Sequence, residues 1–174
     1  IYTDHALLTK HEGITADAAA AFTALLKGEL DPDNDAFHSE HLLVAPYNLR
    51  SRFLALIQNE IDNAKAGKPA YMILKMNSLE DRKMVEALYE ASRAGVKIQL
   101  IVRGIFRLRP GLEGLSENIE ALSIIDRFLE HGRIYIFANG GDEKIIAASA
   151  DWMTRNLSRR GEVAFPNYDE RLKK

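Results

Sequence analysis

The sequence predicts an α/β fold: a partly parallel sheet flanked by helices. Three observations predict it. Between residues 42 and 102, short apolar runs alternate with segments of helical period, in the strand–helix–strand–helix–strand order of a layered sheet. Glycines stand at the ends of the periodic segments, where helices stop. The length, 174 residues, suits one domain with one core.

The elements follow in order. Residues 15–27 read as a helix. Thr15 caps it, Ala18 to Ala21 favour it, Phe22, Leu25 and Leu26 make an apolar stripe, and Gly28 stops it. Residues 31–40 are polar and turn-rich, an exposed loop. Residues 42–45 form a buried strand ending at Pro46. Asn48 caps a helix carrying Leu49, Phe53, Leu56, Ile57 and Ile61 at three- and four-residue spacing, and Gly67 ends it. Residues 71–76 are the second strand. Asn77 or Ser78 caps the next helix, with Met84, Val85, Leu88 and Tyr89 inward and Gly95 at its end. Residues 96–102 are the third strand. Residues 104–114 hold Pro110 and three glycines without a period, and form a loop. Residues 119–124 read as a strand and 125–130 as one or two helical turns. Residues 133–138 and 144–149 pair across Asn139-Gly140, a hairpin signal. Residues 162–165 are a last strand.

Composition removes several functions. Twenty-three Lys and Arg against 25 Asp and Glu leave a formal charge of −2, which argues against nucleic-acid binding by bulk charge but allows a local basic site. The absence of cysteine excludes disulfides, thiolate zinc sites and cysteine nucleophiles. No apolar run approaches the ~18 residues of a membrane span. The first residues, Ile1-Tyr2-Thr3-Asp4, do not read as a signal peptide. Neither a P-loop nor a dinucleotide-binding glycine pattern is present.

In open α/β sheets, ligands bind outside the C-terminal ends of parallel strands. The third strand ends at Val102-Arg103-Gly104, so Arg103 stands at a site edge and Gly104 lets the backbone turn close to a ligand. A solvated surface arginine is the alternative. Nine of the 13 arginines lie after residue 100, against three of ten lysines. Arginine's planar fork suits phosphate oxygens, although 11 acidic residues in the same stretch offer it other partners. His131, two residues before Arg133, can exchange a proton with a phosphoryl oxygen, or serve as a half-buried structural histidine. His5, His11, His38 and His41 show no metal-ligand spacing and read as surface residues. Ser149, Arg155 and Asn156 can point at an anion, and Trp152 reads as a core anchor.

Several ordered blocks carry a family resemblance. They include Ile1-Tyr2-Thr3-Asp4, Val44-Ala45-Pro46 with Arg50, and Leu74-Lys75-Met76-Asn77-Ser78-Leu79. Leu100-Ile101-Val102-Arg103-Gly104-Ile105, Arg127-Phe128-Leu129-Glu130-His131, Ile136-Phe137-Ala138-Asn139-Gly140-Gly141 and Ser149-Ala150-Asp151-Trp152-Met153-Thr154-Arg155-Asn156 complete the set. Nearly the whole chain resembles the C-terminal part of type-1 polyphosphate kinases. The resemblance implies a phospholipase D-like mixed sheet flanked by helices. It places residues 1–40 at the end of a preceding catalytic domain with its connecting helix and loop, and residues 41–174 in the second phospholipase D-like domain, cut short at its end.

What the resemblance implies about activity is reversible transfer of the ATP γ-phosphate to polyphosphate through a phosphohistidine on an upstream domain. That histidine and the initiator Met are absent here, so the resemblance implies an excised domain, inactive alone. Tyr2, Arg103 and His131 match ATP-contacting positions, with His131 the supporting acid or phosphate contact. Arg160 and Arg155 match a phosphate channel. ATP and ADP are substrates, and the Mg2+ ligands lie upstream, leaving no metal to this chain. The implied partners are ATP, polyphosphate and the upstream domain of the same polypeptide, within a homo-oligomer and without nucleic acid. The implied location is cytoplasmic, peripheral to the inner membrane in the full-length enzyme. Two other readings stay open: a phospholipase D-like phosphodiesterase half-site, with His131-Gly132-Arg133 in place of His-x-Lys, and a non-catalytic polyanion-binding module. Phe106, Ala148 and Gly161 depart from the family pattern, and Gly161 is expected to loosen the last strand. An apolar patch is expected at the surface where the family's further helical cover is lacking.

Overall fold

The computed structural model describes residues 2–28 and 37–173. Residues 31–36 of the expected loop lie outside these. In chain order the elements are β1 (Tyr2–Thr3), α1 (Glu12–Leu26), β2 (Leu43–Ala45), α2 (Leu49–Lys65), β3 (Tyr71–Met76), α3 (Arg82–Arg93), β4 (Lys97–Val102), β5 (Ile119–Leu122), β6 (Leu129–Glu130), β7 (Arg133–Phe137), β8 (Lys144–Ala148), α4 (Thr154–Ser158) and β9 (Glu162–Pro166).

Seven strands form one mixed sheet in the order β2-β9-β8-β7-β3-β4-β5. β3 and β4 run parallel, as the strand–helix–strand connection through α3 requires, and β5 adds in parallel across the loop that follows β4. β7 lies antiparallel to β3, and β8, β9 and β2 continue antiparallel beyond it. The end of β3 therefore meets the start of β7 on one side and the end of β4 on the other. The Asn-Gly hairpin forms as expected between β7 and β8, with Asn139 and Gly140 both at positive φ.

Met72, Leu74 and Met76 of β3 and Ile98, Leu100 and Val102 of β4 alternate into the core, the period of two that a pleated strand imposes. Against them pack Leu49, Phe53 and Ile57 of α2 and Met84 and Leu88 of α3. Trp152 is the core anchor the sequence suggested. It stacks on Tyr135 at 5.2 Å and 5° and lies 5.3 Å from Phe53. Burial pushes the Tyr135 hydroxyl well above its ordinary pKa, and it donates to the Ala150 carbonyl (2.8 Å).

Five local expectations are corrected. α1 starts at Glu12, because the His11 Nδ1 accepts from the Ile14 N–H (3.3 Å) and so caps the helix ahead of Thr15. Its apolar stripe faces outward, with Phe22 and Leu26 exposed. α3 starts at Arg82 under an Asp81 cap. Residues 77–80 are drawn into backbone bonds with Ile105 and Trp152 instead of a helical turn. The helical turns expected over 125–130 do not form: residues 125–128 are irregular, and Leu129–Glu130 form β6, which pairs in parallel with β1. Gly161 precedes β9 and so does not weaken it; the space a Cβ would take touches Leu25 at 3.3 Å. Among the described residues, no helix is long and apolar enough to cross a membrane.

Candidate functional site

A cleft of about 760 Å³ opens at the end of the sheet where β3, β4 and β7 meet. Arg103, one residue past β4, and His131, two residues before β7, both line it, as do Arg155 and Arg160 around α4. Arg103 and His131 share the cavity because β3 sits between β4 and β7, and Arg155 and Arg160 reach it from α4 and the turn after it. Tyr2 stands beside the cleft. Its exposed ring meets the His131 ring edge-on, with centroids 4.9 Å apart.

The arginines sort into two groups. Arg133 is paired with Asp151, Arg107 with Glu80 and Arg171 with Asp169. Arg103, Arg155 and Arg160 have no carboxylate partner among the described residues. Arg103 is held by its Nε alone, which donates to Asn77 Oδ1 (2.6 Å) and to the Glu130 carbonyl (2.9 Å). Its two terminal amino groups are left for a ligand in the cleft, a fork suited to phosphate.

His131 is oriented by a group that sequence reasoning missed. Its Nδ1 lies 2.9 Å from Asp4 Oδ2 and 3.0 Å from Oδ1. A nitrogen between two carboxylate oxygens carries its proton, so Nε2 is the nitrogen left for a ligand. Asp4 reaches His131 because the backbone N–H groups of His131 and Gly132 donate to the Thr3 carbonyl beside the β1–β6 pair. His5, read as a surface residue, also lines the cleft. Its ring lies against Gly132, where a Cβ would come within 2.5 Å, so no larger residue fits there without displacing it.

Other expectations are revised. The close approach at Gly104 is to the neighbouring strand end: its N–H donates to the Asn77 carbonyl (2.8 Å), and a Cβ would sit 2.8 Å from the same oxygen. Ser149 and Asn156 line the cleft but are spent on Glu162, each donating to one of its carboxylate oxygens. Of that trio, only Arg155 has no side-chain hydrogen bond or ion pair among the described residues. His41 and His11 form a ring cluster with Tyr168 away from the cleft.

A mixed sheet with helices against it and a basic cleft at the central strand ends defines the class: this is a phospholipase D-like α/β domain. It superposes on NucT from Helicobacter pylori with a TM-score of 0.54 and 16% identity, over 75% of this chain and 86% of that one. Nuc from Salmonella typhimurium, a phospholipase D family member, superposes with a TM-score of 0.52 and 16% identity over 72% and 79%. At that identity the likeness is one of fold alone.

The family is narrower than the fold. The model of polyphosphate kinase C-terminal domain 2 matches residues 42–174, and the chain belongs to that family. It is 49% identical over 173 residues to a polyphosphate kinase of Vibrio parahaemolyticus and 46% to one of Escherichia coli, covering 99% of this chain and 24% of each relative. The crystal structure of polyphosphate kinase from Porphyromonas gingivalis superposes with a TM-score of 0.86 and 44% identity over 95% of this chain and 24% of that one. The chain thus spans about a quarter of the length of the curated relatives it matches.

Proposed function

We propose that this chain forms one wall of the active site of a polyphosphate kinase, which passes the γ-phosphoryl group of ATP reversibly to polyphosphate. The observation that carries the reading is the convergence of Arg103, His131, Arg155 and Arg160 on one cleft, with Arg103's terminal amino groups free. In the proposed cycle, a histidine on the facing domain attacks the γ-phosphorus in line. The bond to the bridging oxygen breaks and ADP leaves. The phosphohistidine then gives its phosphoryl group to the terminal oxygen of polyphosphate. Such a transition state is loose, so the protein acts by alignment and charge. Arg103 grips the oxygens on which charge gathers, a contact whose loss costs about 2.7–4 kcal/mol of barrier. His131, its Nδ1–H committed to Asp4, in its imidazolium form donates from Nε2 to the transferring or leaving oxygen. Tyr2 orients the nucleotide, and Arg155 and Arg160 flank the polyphosphate chain.

Magnesium, when bound, would supply charge neutralisation at the phosphates. Among the described residues, the carboxylates lining the cleft are already partnered: Asp4 with His131, Asp151 with Arg133, and Glu162 with Ser149 and Asn156.

The test is direct. The 174-residue chain alone is expected to bind polyphosphate in a salt-sensitive way and to make none from ATP; sustained synthesis by this chain overturns the reading. The phosphodiesterase alternative needs the His-x-Arg pair to face a diester, but Arg133 is buried against Asp151. Hydrolysis of a chromogenic diester is its assay. Binding that survives His131→Ala but not Arg103→Ala favours a non-catalytic polyanion module.

A further inference from the structure

Resting on the phosphate-cleft reading, we propose that Asn77, Asp151 and Arg133 are positioning residues, a buried hydrogen-bonded chain that fixes the aim of Arg103 relative to His131. The chain starts at Asn77, the first residue past β3, only 6% exposed. Its Oδ1 accepts from Arg103 Nε (2.6 Å), its Nδ2 reaches the His131 carbonyl (3.4 Å), and its backbone N–H donates to Asp151 Oδ1 (2.8 Å). Asp151 in turn takes Arg133 Nε at 3.1 Å and Nη2 at 3.3 Å. Arg133 Nη1 donates to the same His131 carbonyl (3.0 Å), so the chain closes on itself.

That same Nη1 lies 3.2 Å from both ring nitrogens of His131. Equal distances of that size cannot be met in the ring plane without overlapping Cε1, so the guanidinium lies over the ring face. Asp4 holds the ring at Nδ1, and Arg133 fixes its tilt. Every nitrogen of Arg133 is thus used inside the protein, which removes it from phosphate binding and gives it a geometric task. Apolar packing of equal volume commonly stabilises a fold as well as a buried ion pair does, so stability alone does not account for this network. Alignment does: in-line transfer demands groups held within about 0.5 Å. With Nε tethered, the planar fork of Arg103 has its two remaining amino groups aimed in one direction.

The test uses the 174-residue chain and medium-length polyphosphate as probe. Asn77→Ala removes the shorter of the two acceptors of Arg103 Nε, leaving the Glu130 carbonyl and the backbone bond to Asp151 in place. Affinity is expected to fall on the order of tenfold, with the unfolding transition still cooperative. Arg133→Lys keeps the charge but cannot span Asp151 and the imidazole, so side-chain 15N signals of His131 are expected to shift and affinity to fall. In the unsubstituted chain the Arg103 Nε–H is expected to exchange slowly with solvent; fast exchange overturns the proposal without any variant. Arg103→Ala separates the two readings. If it leaves affinity intact, the phosphate-cleft reading itself falls. If it weakens binding while Asn77→Ala and Arg133→Lys do not, only the positioning proposal falls.

Discussion

The two ends of the cleft are built on opposite principles. At the Arg103 end, Asn77, Arg133 and Asp151 are each less than 10% exposed and joined by hydrogen bonds. At the Arg160 end, Arg155 and Arg160 are exposed and make no side-chain ion pair among the described residues. The first end holds geometry. The second supplies positive potential without geometry, which suffices to attract a flexible polyanion.

The largest expected effect comes from breaking the tied end. Asp151→Ala leaves the Arg133 guanidinium buried without a countercharge and is expected to cost about 3–5 kcal/mol of stability, read from denaturant unfolding. Arg155→Ala is expected to leave the unfolding midpoint in place. Equal midpoints for the two variants break the comparison.

Next is the effect on binding. Arg103→Ala removes charge-assisted contacts worth about 1.5–3 kcal/mol, so polyphosphate affinity is expected to drop about 10- to 150-fold. Isothermal titration at fixed salt checks it.

The same contrast of tied and untied groups recurs in two buried carboxylates, and there pH reads it. Burial pulls Asp17 upward, but backbone N–H groups of Leu42, His41 and Glu40 outweigh it and hold its pKa below the usual value. Its contribution to folding is full above the ordinary aspartate range and is lost as pH falls through the lowered folded value. Burial pushes Glu60 the other way, outweighing the backbone N–H groups of Asn139 and Tyr71 that favour the carboxylate. Its contribution is full below the ordinary glutamate range and is lost as pH rises through the raised folded value. Stability curves against pH for Asp17→Asn and Glu60→Gln are expected to flatten at opposite ends.

The smallest effect sharpens the loose end. Arg155→Ala and Arg160→Ala are each expected to weaken polyphosphate binding about two- to fivefold and to lower the dependence on log salt by about one unit. A loss as large as that of Arg103→Ala from either one erases the distinction between the ends.

Much of this molecule is legible along the chain. The alternation of Met72, Leu74 and Met76, the helical spacing of Phe53 and Ile57, and the Asn139-Gly140 turn each encode local hydrogen bonding and one buried face, and each element formed. Arg103 could be placed at a strand end by the same local logic, and the family blocks marked His131. Asp4 stands in a family block too, but nothing in the sequence paired it with His131, which lies 127 residues away. Residues 125–130 misled as a helix because β6 exists only through its pairing with β1. Arg133 looked like half of a substrate-binding pair two residues from His131, yet the fold turned it inward onto Asp151. Periodicity determined most of the strands, helices and core positions of the main sheet, because those depend on neighbours within a few positions; it failed at α1's exposed stripe and at β6. Only the tertiary structure decided which charges meet each other and which are left facing the cleft. That choice depends on strand order, and the placement of β3 between β7 and β4 is written in no single segment.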